Sequence, residues 1–412
     1  MRYNTATLNN GLRVIHLPNT SKIVYCGYQI KAGTRNEETG EEGLAHFCEH
    51  VSFKGTERRN SYAIINSLES VGGDLNAFTN KEDTVFYSAI PRQHFMRAVD
   101  LLTDIVFHST YPQTEIDKEV EVVCDEIESY NDSPAELIYD EFENILFRGH
   151  PLGHNILGTA ERVRSFTTED AKRFTHKFYR PDNAIFFVYG DIDFKKLVKA
   201  LNTAPLPPGG GSTKTTLSFN IPPTGGQGGR DGDIVLHHNT HQAHVMIGNR
   251  AYPANHGLRI PLYLLNNIIG GPGMNARLNL ILRERRGLVY SVESSMVSYG
   301  DTGLWSVYFG CDHDDVKRCI SLVKNELRRY AGKPISLRTL NAAKRQIKGQ
   351  LAIACDNNES FAIDFGKSFL HLGSEKDIAR LYADIDAVTP EQIQKVAREI
   401  FDEDTLTTLM IL

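Results

Sequence analysis

The 412-residue chain has little that would tie it to a membrane, to nucleic acid or to an oxidising compartment. No stretch approaches the roughly 20 consecutive apolar residues of a membrane span, so no membrane partner is expected. The first residues, MRYNTATLNNGLRVIHLPN, run directly into strand-like sequence. They lack an apolar signal core, and they are not an Arg/Ser-rich presequence. Acidic residues outnumber basic ones, leaving a net charge of −6, which argues against a nucleic-acid partner. Six cysteines (Cys26, Cys48, Cys124, Cys311, Cys319 and Cys355) are scattered without C-x-x-C pairs. That usage fits reduced thiols, so a cytoplasmic location is expected.

One stretch carries chemistry: Gly43-Leu44-Ala45-His46-Phe47-Cys48-Glu49-His50, continuing into Val51-Ser52-Phe53-Lys54-Gly55-Thr56. Residues 42–54 contain no proline, and their one glycine lies near the start, which predicts a helix. At about 100° per residue, His46 and His50 lie one turn apart on one face, with Glu49 beside them. Leu44, Phe47, Cys48 and Val51 fall on the opposite, apolar side. Two imidazoles so spaced can hold Zn²⁺ at roughly 2.0–2.1 Å each, leaving room for a carboxylate and a water. A glutamate next to that water can take its proton, and H-x-x-E-H is the inverzincin pattern.

Two histidines and a glutamate on a surface helix would also satisfy five residues of pattern, so a third ligand matters. The run Gln113–Tyr130 is free of Gly and Pro, and Ile116, Val120, Val123 and Ile127 repeat in it at helical spacing. In projection Glu119 and Glu126 lie within roughly 20° of each other at the margin of that stripe. Carboxylates there are able to reach an interior metal. Periodicity does not choose between the two.

The chain is too long for one ordinary core. Pro205–Gly211 and Gly225–Gly232 mark a Gly/Pro-rich linker, taken as 206–231, between a domain at 1–205 and a second at 232–412. Each half runs from paired strands (12–18 with 23–32; 234–238 with 243–249) through helices to a final strand, at 184–190 and 406–412. This pattern reads as a duplicated α+β domain with the metal motif only in the first copy. His237, His238, His241 and His244 sit on strand-like sequence, where four residues span roughly 13 Å, so no second zinc is expected there.

HFCEH followed by VSFKGT, with a glutamate 76 residues after His50, resembles the pitrilysin/mitochondrial-processing-peptidase family of zinc metallopeptidases. The resemblance covers essentially the whole chain. It implies two duplicated domains, each a mainly antiparallel sheet flanked by helices, facing each other around a cleft. It implies Zn²⁺ held by His46, His50 and Glu126, Glu49 as general base, and Glu119 as an additional active-site glutamate. Asp74-Leu75-Asn76-Ala77-Phe78-Thr79 resembles the family's strand bordering the cleft, so Asn76, Ala77 and Phe78 are expected to bind peptide, mainly through backbone. Arg283-Glu284-Arg285-Arg286-Gly287-Leu288-Val289-Tyr290 resembles the family's Arg-Glu-x-x-Gly-Leu-x-Tyr segment, implying Arg283 and Tyr290 as donors to a substrate carbonyl.

The expected function is therefore a zinc endopeptidase acting on unfolded peptides or presequences. Both sets of residues on one chain favour a homodimer. The alternatives are a catalytic subunit that requires an inactive homologous partner, and a non-catalytic assembly or binding member.

Overall fold

A computed structural model describes residues 2–207, 209, 233–238 and 240–412. Most of the proposed linker, 206–231, lies outside the described residues. In chain order the first copy comprises β1 (Asn4–Thr7), β2 (Arg13–Leu17), β3 (Ile23–Ile30), α1 (Leu44–Ser52), α2 (Ser61–Glu69), β4 (Asp74–Thr79) and β5 (Thr84–Pro91). There follow α3 (Phe95–His108), α4 (Gln113–Asn131), α5 (Pro134–Leu146), α6 (Ala160–Val163), α7 (Thr168–Phe178), β6 (Ala184–Tyr189) and α8 (Phe194–Thr203). The second copy repeats the plan. It runs β7 (Ile234–Leu236), β8 (Ala243–Ala251), α9 (Arg259–Gly270), a π-helical turn at Asn279–Glu284, β9 (Val289–Ser298) and β10 (Gly303–Cys311). It continues α10 (Val316–Gly332), α11 (Leu337–Ala354), α12 (Asn358–Leu372), α13 (Ile378–Ala387), α14 (Pro390–Ile400) and β11 (Thr407–Ile411).

The sheets establish the duplication. The first has the order β1-β2-β6-β3-β5-β4 and the second β7-β11-β8-β10-β9. In each, the copy's last strand lies parallel to an early one (β2 with β6, β7 with β11). The remaining neighbours, β6-β3-β5-β4 and β11-β8-β10-β9, are antiparallel throughout. Helix α9 stands where α1 stands in the first copy, but it has no histidine and no acidic residue.

Two expectations about strand pairing need correction. β2 and β3 do not pair, and neither do β7 and β8, because β6 and β11 are inserted between them. β6 reads AIFFVY with Ala184–Val188 buried, and β11 is buried along its length. Strands apolar on both faces belong in the middle of a sheet, whatever their distance in sequence. The strand β1, which the sequence did not suggest, pairs with β2 at the opposite edge from β4.

The domain boundaries also differ from 1–205 and 232–412. Two compact units form, and each takes a segment from the other half of the sequence. The first unit takes the chain up to Glu128, the segment from His154 towards the linker, and Ile353–Asp377. The second takes Ser129–Gly153, the segment from the linker to Ala352, and Ile378–Leu412. Thus α12 covers β6 and β3 in the first unit, and α5 covers β8 and β11 in the second.

Apolar fit is the reason. A central strand with two apolar faces leaves one face bare after its own copy's helices have packed. Phe361 and Phe365 of α12 meet Tyr189 edge-on, with ring centroids 5.9 and 6.2 Å away. Leu137, Ile138, Phe142 and Leu146 of α5 bury against Met246, Leu409 and Ile411. Each exchanged helix also finds an arginine at its C-terminal end, where carbonyls lack partners. Arg13 donates to Phe369 O and Leu370 O at 3.0 and 3.2 Å, and Arg250 donates to Leu146 O at 2.8 Å.

Candidate metal centre

The site lies within the first unit, on α1 and α4. Helix α1 begins at Gly43, whose φ of 95° is left-handed backbone that favours glycine. A side chain there would also meet Leu157 O at 2.6 Å. Gly43 has no capping side chain, and Glu37 supplies one from the preceding loop. Its carboxylate accepts from Gly43 N–H at 3.0 Å and Ala45 N–H at 2.7 Å, and it meets His154 Nε2 at 2.8 Å. A carboxylate at a helix N-terminus satisfies orphan N–H groups and suits the helix dipole. Leu44, Phe47, Cys48 and Val51 are fully buried in the core, which sets the rotation of α1.

That rotation presents His46, Glu49 and His50 to α4. Nε2 of His50 is 3.4 Å from Glu126 Oε2, and Nε2 of His46 is 3.9 Å from the same oxygen. Donor atoms of His46, His50 and Glu126 lie within 4.8 Å of one another, the one such cluster among the described residues. On the far side of the ring, His50 Nδ1 is 3.0 Å from Glu119 Oε1. Glu119 is buried, and its Oε2 is 2.5 Å from Lys54 Nζ.

The donors fit a cation of the zinc type. Two imidazoles and one carboxylate make up a known ligand set for an open zinc site. His46 is buried, its Nδ1 has no hydrogen-bond partner, and its Nε2 is too far from Glu126 for a hydrogen bond. A buried ring nitrogen without a partner is costly, and the Nε2 that faces Glu126 is left free to meet a cation.

The electrostatics agree. Burial and the neighbouring His50 hold the His46 imidazole below its ordinary pKa, so it is neutral and ready to ligate. For His50 burial works in the same direction, but hydrogen bonds to Glu119 and Glu126 outweigh it and lift the ring to about 9. Burial would raise Glu119, yet hydrogen bonds from His50 and Lys54 bring it below the usual carboxylate range. Glu126 is lowered chiefly by its hydrogen bond with His50. Glu49 moves the other way. Burial lifts its carboxyl to about 7, against a 2.7 Å hydrogen bond donated by Thr79 Oγ1 to Oε2.

Thr79 ends β4, and β4 is an edge strand that pairs with β5 on one side. Asn76, Ala77 and Phe78 stand opposite Tyr87, Phe86 and Val85 of β5. Asn76 is exposed, while Ala77 and Phe78 are half-buried. The other edge of β4 is therefore open among the described residues, directly before the threonine that holds Glu49. Arg283 and Tyr290 lie in the second unit, the first on the π-helical turn and the second near the start of β9. The Arg283 guanidinium is 6.0 Å from the Tyr290 ring centre, and that tyrosine is strongly exposed.

Sequence reasoning missed the contacts of Glu37, Lys54, Thr79 and His154. Lys54 and Thr79 sat at the ends of stretches already singled out, so position was the one available signal. The pairing of Glu37 with His154 spans 117 residues and left no local trace.

A duplicated α+β protein with one His-His-Glu centre in its first copy defines a class, and comparison with known proteins agrees. A family model described as Insulinase (Peptidase family M16) matches residues 13–160, and one described as Peptidase M16 inactive domain matches residues 165–347. A Bacillus subtilis protein described as an uncharacterized zinc protease is 31% identical over 98% of this chain and 97% of its own length. A Mycobacterium leprae protein of the same description is 31% identical over 96% of this chain and 89% of its own length. A solved structure of a protease from Helicobacter pylori superposes with a TM-score of 0.89 at 21% identity, covering 100% of this chain and 99% of that one. The chain belongs to peptidase family M16.

Proposed function

We propose that this protein is a zinc endopeptidase that hydrolyses peptide bonds in unfolded peptides or presequences. The observation that carries the reading is the convergence of His46, His50 and Glu126, with the buried carboxyl of Glu49 on the same helix. The relatives described as zinc proteases support it. His46, His50 and Glu126 would hold the ion, which when bound would supply Lewis acidity to a water and to the scissile carbonyl.

Glu49 is the general base. Thr79 occupies its Oε2, which leaves Oε1 to accept a proton. A carboxyl held near 7 both takes a proton from water and returns it to the leaving amine at neutral pH. Glu119 orients His50 through Nδ1.

Substrate adds as a strand to the open edge of β4, alongside Asn76, Ala77 and Phe78. Main-chain pairing of this kind accepts many sequences and selects for extended chains. Arg283 and Tyr290 serve as hydrogen-bond donors to the substrate carbonyl as charge develops on its oxygen. The protein acts as a homodimer in the cytoplasm.

The deciding experiment measures zinc content together with cleavage of a random peptide pool, with and without chelator. Zinc near one ion per chain and chelator-sensitive cleavage are expected. Cleavage that persists in the fully metal-depleted protein would overturn the proposal.

A further inference from the structure

We propose that Lys54 is a positioning residue for the metal-holding face of His50, acting through Glu119. The inference rests on the zinc-peptidase reading above. Glu119 divides its two oxygens between two partners: Oε1 meets His50 Nδ1 at 3.0 Å and Oε2 meets Lys54 Nζ at 2.5 Å. The Glu119 side chain is 8% exposed and that of Lys54 is 26% exposed, so the ion pair is shielded at its carboxylate end and partly shielded at the ammonium. A shielded, short pair fixes geometry in a way that an exposed one does not.

The backbone beneath Lys54 is held on both sides. Its N–H closes the last turn of α1 by donating to Val51 O at 3.2 Å. The next residue, Gly55, accepts from Thr110 N–H at 3.0 Å and bridges to Asn60. The lysine stem therefore starts from a fixed point one turn beyond His50. From there the ammonium holds the Glu119 carboxylate, and the carboxylate holds the ring.

This chain of contacts has a consequence for metal binding. His50 meets Glu119 at Nδ1, 3.0 Å away, and is approached by Glu126 at Nε2, 3.4 Å away. His46, His50 and Glu126 would hold the cation, and the contact of Glu119 with Nδ1 would leave Nε2 as the ligating nitrogen of His50. Orientation of the ring, and the tautomer that frees the Nε2 lone pair, then depend on where Glu119 stands. A carboxylate with one of two partners removed can rotate about its side chain, so loss of Lys54 should loosen the imidazole without touching it.

The test compares Lys54→Met and Lys54→Arg with the parent protein, alone and in a Glu119→Gln background. Zinc affinity is read by chelator competition, and the site's geometry by the visible absorption of the Co²⁺-substituted protein. Lys54→Met should weaken zinc about 10–100-fold, in the range for loss of a group supporting a ligand. It should also alter the Co²⁺ bands, and Lys54→Arg should restore both. In the Glu119→Gln background Lys54→Met should cost nothing further, because the group it acts through is gone. Thermal unfolding of the metal-free variants separates loss of folding from loss of positioning. Unchanged zinc affinity and Co²⁺ spectrum in Lys54→Met would overturn the inference while leaving the peptidase reading intact. An equal loss with and without Glu119 would also overturn it. A parent protein that takes up no zinc would sink both readings together.

Discussion

Glu119 and Glu126, seven residues apart on α4, reach the two nitrogens of a single imidazole: Glu119 meets Nδ1 of His50 and Glu126 approaches Nε2. Two turns of one helix thus hold the ring from both sides, and the two carboxylates are not equivalent. The Nε2 side also faces His46, and the Nδ1 side does not. Glu126→Gln should therefore abolish zinc retention, as should loss of His46 or His50. Glu119→Gln should weaken zinc by about 10–100-fold without abolishing it. Metal analysis after dialysis decides the matter, and the reverse pattern would exchange the two roles.

Glu49→Gln should keep its zinc and lose peptide cleavage by about 10²–10⁴-fold or more, since it removes a proton acceptor and no ligand. A fluorogenic peptide pool at matched zinc content measures this. Near-normal turnover would rule out Glu49 as the base.

Zinc binding should release a proton. At pH 7 His46 is already neutral, whereas His50, lifted to about 9, carries a proton that the ion must displace. Affinity should accordingly rise with pH up to about 9 and fall on acidification, more steeply once His46 also protonates. Calorimetry in buffers of different ionisation enthalpy reads the proton directly. The Glu49→Gln variant is the right subject, because it removes a neighbouring group that titrates near 7. No proton released at pH 7 would contradict the assigned state of His50.

Substrate pairing with β4 makes a chemical expectation. Peptides N-methylated near the scissile bond should bind more weakly, with KM raised more than kcat is lowered, because methylation removes a main-chain donor. Asn76→Ala should change little, since its contribution is through backbone. The opposite ranking would point to side-chain recognition.

The exchanged helices should matter to stability as core elements. Phe365→Ala on α12 and Phe142→Ala on α5 each remove a fully buried ring and should cost about 3–5 kcal/mol. Denaturant unfolding followed by intrinsic fluorescence and by zinc release would show it. A loss below about 1 kcal/mol would mean that the helix is a loose cover.

Much of this was legible in the sequence, for identifiable reasons. Helical period shows which residues share a face, so His46 with His50 and Glu119 with Glu126 could be paired on their own helices. Apart from β1, the strand content of both copies could be read from the β-branched and aromatic runs, and the repeat of the plan betrayed the duplication. Pairing could not be read. β6 enters between β2 and β3 from more than 150 residues away, and a buried strand carries no label naming its neighbours. The exchange of α5 and α12 was hidden for the same reason, since an apolar helix face does not say which sheet it will cover. Lys54, Thr79 and Glu37 act through contacts to other elements, and no local period records those.

The exchange changes what a cut in the chain would mean. A protease nick in the Gly/Pro-rich run would leave two fragments, yet each would still have a helix seated in the unit built on the other fragment's sheet. The products would behave as a split protein, two chains held in non-covalent complementation. Separating them would require unseating α5 and α12 together. Reassembly would become a concentration-dependent, bimolecular event, and a nicked band on a denaturing gel would coexist with an intact particle in solution.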